Sequence, residues 1–300
     1  MEIKQKILDL KTQKNAIILA HIYQRPEIQD IADYVGDSLG LSQKAAAVTD
    51  ADMIVFCGVD FMAETAKILS PDKKVLVPDP SATCPMAKMI TVDALIAKKK
   101  EYPNAAVVCY VNTDADIKAE SDICCTSRNA VQVVESLSEK QIIFVPDKSL
   151  GAYVAELVPD KEFIFWEGYC PTHHRILAEN IQALKKLHSA AKVASHPECT
   201  GDVLALSDFI GSTGAIQDYV ARSEDKEFII GSELGIIYRL EKDNPGKKFY
   251  HPTDLGICPN MKKNTLENLA EVLENERNEV VVDYVIAEKA SQSIKRMLKV

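Results

Sequence analysis

The sequence has no long apolar run: none of its 300 residues belongs to a stretch approaching the ~18 apolar residues of a membrane span. The opening MEIKQKILDLKTQKN is charged throughout and lacks the apolar block of a secretory signal. Dense basic clusters are missing too. Beyond KKK at 98–100, which suits a solvated helix face, nothing offsets a net charge of −9, and a nucleic-acid surface needs a basic footprint. There is no G-x-G-x-x-G and no P-loop, so GDSLG at 36–40 is not a dinucleotide fingerprint. No C-x-x-C occurs and no Gly/Ser-rich linker divides the chain. The expectation is a cytoplasmic chain with no membrane and no nucleic-acid partner. A hydrophobic content of 47% is enough for a substantial core, and eight cysteines without a leader point to reduced thiols and metal ligands, not disulfides.

What is present is a recurrent dipeptide. SATCPMAK, EGYCPTHH and LGICPNMK place Cys84, Cys170 and Cys258 each before a proline, 86 and 88 residues apart. A cysteine precedes a proline by chance about 4% of the time, so three such pairs among eight cysteines call for a cause. Aligning the chain to itself on these points reveals one. The runs AIILAHIYQ (16–24), AAVVCYVNTD (105–114) and AKVASHPECT (191–200) fall about 60 residues before each cysteine. GDSLGLSQKA, CTSRNAVQVV and GSTGAIQDYV follow, each a small-residue turn opening a helical pattern. A further strand, turn and helix then lead into a short strand that runs to the cysteine loop.

β-Branched runs alternating with helical periodicity read as βαβ units with parallel strands. The predicted fold is α/β: three similar αβα layers with parallel sheets arranged about a pseudo-threefold axis. The expected units are 1–87, 88–173 and 174–300, the last closed by two C-terminal helices. Ligands of open parallel sheets bind beyond the carboxyl ends of the strands. Three units about one axis would aim those ends at one central cavity.

Three thiolates there suit a soft metal group. Structural zinc prefers four closed ligands, whereas an iron–sulfur cluster with three thiolates keeps one iron open as a Lewis acid. Cys57, Cys109, Cys124, Cys125 and Cys199 fall in apolar runs or out of register and are expected to be core or wall thiols. After the first strands stand His21 and Tyr23, Tyr110 and Asn112, His196 and Glu198, all able to move or hold protons. Ser38, Ser127 and the pair Ser212–Thr213 open helices, either as ordinary caps or as parts of an anion site, and His173 lies three residues after Cys170.

Together AHIYQ, GDSLGLS, VPDPSATCPMA, YVNTDADIKAESDICCTSRNA, GYCPTHH, SHPEC, GSTGAI and CPNMKKNTLENL resemble the quinolinate synthase family over nearly the whole chain. The resemblance implies a three-domain pseudo-threefold fold around a 4Fe–4S cluster held by Cys84, Cys170 and Cys258. It implies condensation of iminoaspartate with dihydroxyacetone phosphate to quinolinate, with loss of two waters and phosphate, on the de novo route to NAD. An L-aspartate oxidase or dehydrogenase would supply the imine. Carried over motif by motif, the substrate-binding positions are His21, Ser38, Tyr110, Val111, Asn112, Ser127, His173, His196, Pro197, Glu198, Ser212 and Thr213. Tyr23 and Glu198, with His21 and Tyr110, are the catalytic candidates. CPNMKK lacks the nearby second cysteine of longer members, so this chain resembles the compact type. A hydro-lyase with an open iron, an iron–sulfur sensor and a sugar-phosphate binder remain the alternative readings.

Overall fold

A computed structural model describes residues 2–300. The first unit comprises α1 (Glu2–Gln13), β1 (Ala16–His21), α2 (Pro26–Ile31), β2 (Tyr34–Gly36), α3 (Ser38–Ala47), β3 (Met53–Cys57), α4 (Asp60–Leu69) and β4 (Lys74–Leu76). The second repeats that order as α5 (Val92–Glu101), β5 (Ala106–Tyr110), α6 (Ala115–Ala119), β6 (Ile123–Cys125), α7 (Ala130–Glu135), β7 (Gln141–Val145), α8 (Lys148–Leu157) and β8 (Glu162–Phe165). The third runs α9 (Ala178–Leu187), β9 (Lys192–Ser195), α10 (Gly201–Leu204), β10 (Phe209–Ile210), α11 (Thr213–Arg222), β11 (Glu227–Gly231), α12 (Gly235–Asp243) and β12 (Lys248–Tyr250). Two helices follow, α13 (Leu266–Asn275) and α14 (Tyr284–Met297).

Each unit holds one four-stranded parallel sheet with the same strand order: β2-β1-β3-β4, β6-β5-β7-β8 and β10-β9-β11-β12. The inner strands are buried along most of their length, which is why they read as unbroken apolar runs and not as alternation. The edge strands β2, β6 and β10, with the short helices before them, were not expected. At two or three residues they are too short to leave a periodic signal.

The repeat extends to individual hydrogen bonds. Asp33, Asp122 and Asp208 each stand fifteen residues after the inner-strand amide they accept, Ile18, Val107 and Val193, at 2.8, 2.7 and 2.8 Å. Each also donates its own N–H to the carbonyl of that same residue, closing the edge onto the centre. Lys73, Lys161 and Lys247 likewise donate to the carbonyls of Ala51, Leu137 and Val220.

The C-terminal helices differ from expectation. They do not close the third unit. Leu269, Ala270, Val272 and Leu273 of α13 bury with Ile7 of α1 and with Ile18 and Val55 of the first sheet, and Lys6 of α1 pairs with Glu274 at 2.8 Å. Ala290, Ile294 and Met297 of α14 bury with the second unit, where Ser293 donates to the Lys118 carbonyl. The reason lies in the repeat itself. α5, α9 and α13 are the helices that follow the three cysteine loops, and a third crossover about a threefold axis returns to the first unit. A further core joins Phe56 and Phe61 of the first unit to Ile216 and Phe228 of the third, so those units share an apolar interior. Among the described residues no helix is long and apolar enough to cross a membrane.

Candidate active site

A cavity lies where the three sheets point their carboxyl ends. Cys84, Cys170 and Cys258 all line it. They are also the three cysteines that retain partial exposure, the other five being buried. Cys84 is within electrostatic reach of Cys258, and Cys170 of Cys84. Each cysteine–proline pair leads into one 3₁₀ turn, Ala87–Met89, His173–Arg175 and Met261–Lys263. Proline has no N–H and its fixed φ starts such a turn, which brings the next amides round toward the sulfur. Met86 and Ala87 face Cys84 in this way, His173 faces Cys170, and Asn260 and Met261 face Cys258. Without a metal, burial pushes the Cys84 thiol up to about 12 despite those amides, so metal binding must release its proton. The donor set can hold a soft metal group.

The histidines follow from backbone geometry. Nδ1 of His21 accepts the Tyr23 N–H at 3.2 Å, and Nδ1 of His196 accepts the Glu198 N–H at 3.3 Å, the same two-residue turn in two units. Burial lowers both to about 3, so both rings are neutral at pH 7. With Nδ1 accepting, the proton is on Nε2, making each ring a donor there. Nε2 of His196 donates to Ser127 Oγ at 3.0 Å.

Glu198 is buried at the centre. Its Oε1 accepts from Tyr110 Oη at 2.6 Å and from Asn112 Nδ2 at 3.3 Å, and its Oε2 lies 2.7 Å from His173 Nδ1. Burial opposes its charge, but His173 and His196, with hydrogen bonds from His173 and Tyr110, hold the carboxyl well below the usual range. Asn112 spends its amino group on Glu198, so its buried Oδ1 is left without a partner and is ready for an N–H donor. Tyr23 Oη meets Thr213 Oγ1 and Ser232 Oγ, each at 2.8 Å. Burial and then the Glu198 charge push its phenol well above the ordinary value, leaving a neutral donor. Cys170, His173 and Glu198 offer three ligand atoms within 4.8 Å of one another. The hydrogen bonds already joining His173 to both partners account for that closeness.

Of the residues expected from the sequence, His21, Tyr23, Ser38, Tyr110, Asn112, Ser127, His173, His196, Glu198 and Thr213 line the cavity. Val111, Pro197 and Ser212 stay out of its lining. Ser212 caps α11 by accepting the Ala215 N–H at 3.1 Å and donates to Asp37 Oδ2 at 3.3 Å. Ser38 and Thr213 are not caps: each is the first residue inside its helix, after Asp37 and Ser212 respectively. Sequence reasoning missed Asp37, which caps α3, and Arg128, which lies 3.6 Å from Asp37 and 2.7 Å from Asp218 and so ties all three units together. Arg128 follows Ser127 directly, but a single arginine carries no repeat signal. It also missed Glu233 and Met261 on the cavity wall.

A family model described as "Quinolinate synthetase A protein" matches residues 5–299. The chain belongs to the quinolinate synthetase A family. It is 54% identical over 295 residues to a quinolinate synthase of Alkaliphilus metalliredigens, covering 98% of this chain and 97% of the relative. A Sulfurihydrogenibium quinolinate synthase is 52% identical over 304 residues, covering 100% of this chain and 98% of its own. One from Methanosarcina barkeri is 53% identical over 299 residues, again with 100% and 98% covered. A member of this family is an enzyme, and the likeness spans the three units and every residue of the cavity described above.

Proposed function

We propose that this cavity condenses iminoaspartate with dihydroxyacetone phosphate to quinolinate, with loss of two waters and phosphate, and that Cys84, Cys170 and Cys258 hold a 4Fe–4S cluster on its wall. The observation that carries this reading is the meeting of the three partly exposed cysteines with His21, Tyr23, Asn112, His196 and Glu198 around one cavity. The cluster fits the residues: soft donors, one from each unit, with backbone amides facing each sulfur, as iron-bound thiolates receive them. Three thiolates for four irons would leave one iron open, and a cluster so held would supply Lewis-acid assistance to the departure of hydroxyl as water.

The remaining work belongs to side chains. Nε2–H of His21 and of His196 donates to substrate carboxylate oxygens, as do the hydroxyls of Ser38, Ser127 and Thr213. Asn112 Oδ1 accepts the imine N–H, satisfying an otherwise unpaired buried acceptor. The ionised Glu198 takes a proton from the carbon beside the imine or carbonyl. Because Tyr110 and His173 already donate to it and hold it weakly basic, it passes that proton on to the departing hydroxyl, which leaves as water, without storing it. Tyr23, a neutral phenol between two hydroxyls, returns protons to leaving oxygens. The imine hydrolyses in water, so an aspartate-oxidising enzyme must deliver it close by.

The test is quinolinate formation by anaerobically reconstituted protein given chemically generated iminoaspartate and dihydroxyacetone phosphate. Turnover that depends on both substrates and on iron and sulfide content is expected. Cluster-loaded protein that forms no quinolinate from them would sink the reading.

A further inference from the structure

The geometry points to Asp60 and Glu233 as positioning residues that anchor the Cys84 and Cys258 loops by their backbone, with Asp147 their counterpart in the second unit, an inference that rests on the three cysteines holding the cluster. None of the three is a metal ligand here. Each stands just beyond the second inner strand of its unit: β3 ends at Cys57, β7 at Val145 and β11 at Gly231. From there the Asp60 and Glu233 carboxylates reach forward across the sheet end to a cysteine 24 or 25 positions later in the chain.

The contacts in the first and third units are alike in kind. Asp60 Oδ1 accepts the Cys84 N–H at 3.3 Å, and Glu233 Oε1 accepts the Cys258 N–H at 3.0 Å. In the second unit Asp147 stands at the matching place, but its Oδ1 accepts from Leu150 and no hydrogen bond joins it to the Cys170 N–H. Each carboxylate also holds the start of the next helix: Phe61 N–H to Asp60 at 2.9 Å, Leu150 N–H to Asp147 at 2.8 Å, and Gly235 N–H to Glu233 at 2.6 Å. A helix N-terminus is rigid, so the Cys84 and Cys258 amides are each pinned to a rigid element by one short side chain. Beside these bonds runs a backbone bond that also repeats: Asp60 N–H to Ala82, Lys148 N–H to Gly168 and Leu234 N–H to Gly256, at 2.8, 2.8 and 2.9 Å. Those acceptors stand two residues before each cysteine. Measured on that bond, Asp147 and Glu233 share one position and Asp60 is one later, so the first unit reaches the same amide from a neighbouring place.

The counter-charges follow the repeat as well. Lys88, four residues after Cys84, lies 3.1 Å from Asp60 Oδ2, and Lys262, four residues after Cys258, lies 2.9 Å from Glu233 Oε1. The corresponding residue in the second unit is His174, which bonds Ser149 Oγ at 2.9 Å instead. Asp147 Oδ2 is accordingly buried with no hydrogen-bond partner. Three thiolates that must meet one rigid cluster have to be fixed relative to one another, and outer groups of this kind commonly set metal affinity by 10- to 100-fold.

The experiment compares removal of the acceptor with retention of it, in the cluster-loaded full chain. Glu233→Gln keeps an oxygen for the Cys258 N–H. Glu233→Asp keeps the charge but withdraws it by one methylene, about 1.5 Å, beyond hydrogen-bond reach. Asp60→Asn and Asp60→Ala form the matching pair. After anaerobic loading, the loss of iron to excess chelator is followed by absorbance, with iron and sulfide assayed. Glu233→Asp and Asp60→Ala should lose iron at least tenfold faster than the parent, while Glu233→Gln and Asp60→Asn stay within about threefold. The electron-spin spectrum of the reduced cluster should broaden in the first pair only. Parental iron retention in Glu233→Asp and Asp60→Ala would overturn the proposal. So would equal losses in both members of a pair, because charge and not the amide anchor would then be the cause. A parent chain that takes up no cluster would instead refute the assignment of the cysteines.

Discussion

Ser212 and Ser127 look alike in sequence, each a hydroxyl at the mouth of a helix, yet their surroundings predict opposite phenotypes. Ser212 is buried, caps α11 through the Ala215 N–H, and gives its proton to Asp37. Ser212→Ala removes a cap worth about 1 kcal/mol. It also leaves a buried carboxylate oxygen short of a donor, about 1 kcal/mol more. Unfolding entropy is roughly 2.1 cal/mol/K per residue, so a chain of 300 residues should lose about 3 °C in melting temperature. Ser127 caps nothing and bonds His196 Nε2 on the cavity wall. Ser127→Ala should move melting by no more than about 1 °C, since the histidine donor can turn to water. If its hydroxyl meets a substrate carboxylate, the lost charge-assisted bond is worth about 1.5–3 kcal/mol, which is roughly 10- to 150-fold in affinity. The assays are thermal unfolding by circular dichroism on cluster-free protein and titration of quinolinate into cluster-loaded protein. A Ser127→Ala protein that melts as low as Ser212→Ala and binds quinolinate like the parent would refute this reasoning and make Ser127 a structural hydroxyl.

Alanine at Cys84, Cys170 or Cys258 should abolish cluster uptake, whereas Cys57→Ala or Cys199→Ala, at wholly buried thiols, should keep it; iron and sulfide analysis decides. Glu198→Gln should leave the cluster intact and lower turnover ~10²- to 10⁴-fold, and a rate within twofold of the parent at equal iron content would remove Glu198 from the proton path. Buried neutral His196 is lowered to about 3 from 6.5, so the unfolded chain binds its proton first. Its contribution to stability is whole above pH 6.5 and is lost as pH falls toward 3. His196→Asn should flatten the melting-against-pH curve in that window, and an unchanged slope would contradict the assignment. Gly168→Ala would drive a Cβ into the Pro146 carbonyl oxygen, so that cysteine loop must shift; expected are a lower melting temperature and slower cluster loading, and parental loading would show that the loop has slack.

The fold was legible because a repeat multiplies weak signals. One strand of five apolar residues could be a buried helix segment, but the same strand, turn and helix three times in register could not be chance. What escaped was of two kinds. β2, β6 and β10 are too short for any period to register, and their place depends on Asp33, Asp122 and Asp208 folding back onto the central strand. The resting places of α13 and α14 were hidden for a different reason. Their amphipathic faces show that they bury one side, but the partner is set by closure of the ring, a property of three units together that no segment carries.

The site divides along the same line. Cys84, Cys170 and Cys258 were visible because each unit performs one identical task, presenting a sulfur, so the residue, its proline and its turn all recur. Tyr23, Asn112 and Glu198 share one strand-end position but have diverged, and their roles emerge only when the structure turns all three strand ends into one cavity. There Asn112 spends its amino group on Glu198, and Tyr23 takes hydroxyl partners from the third unit. Asp60 and Glu233 fall between these cases. Their task recurs, but it needs only a carboxylate oxygen at a given point in space, and a one-position offset with a change of side chain meets that need as well as strict register does. A self-alignment therefore finds groups whose chemistry demands one atom type and passes over those for which several side chains reach the same place. Symmetric function is readable from sequence to the extent that its chemistry refuses substitutes, and thiolate ligation refuses more of them than a hydrogen bond to an amide.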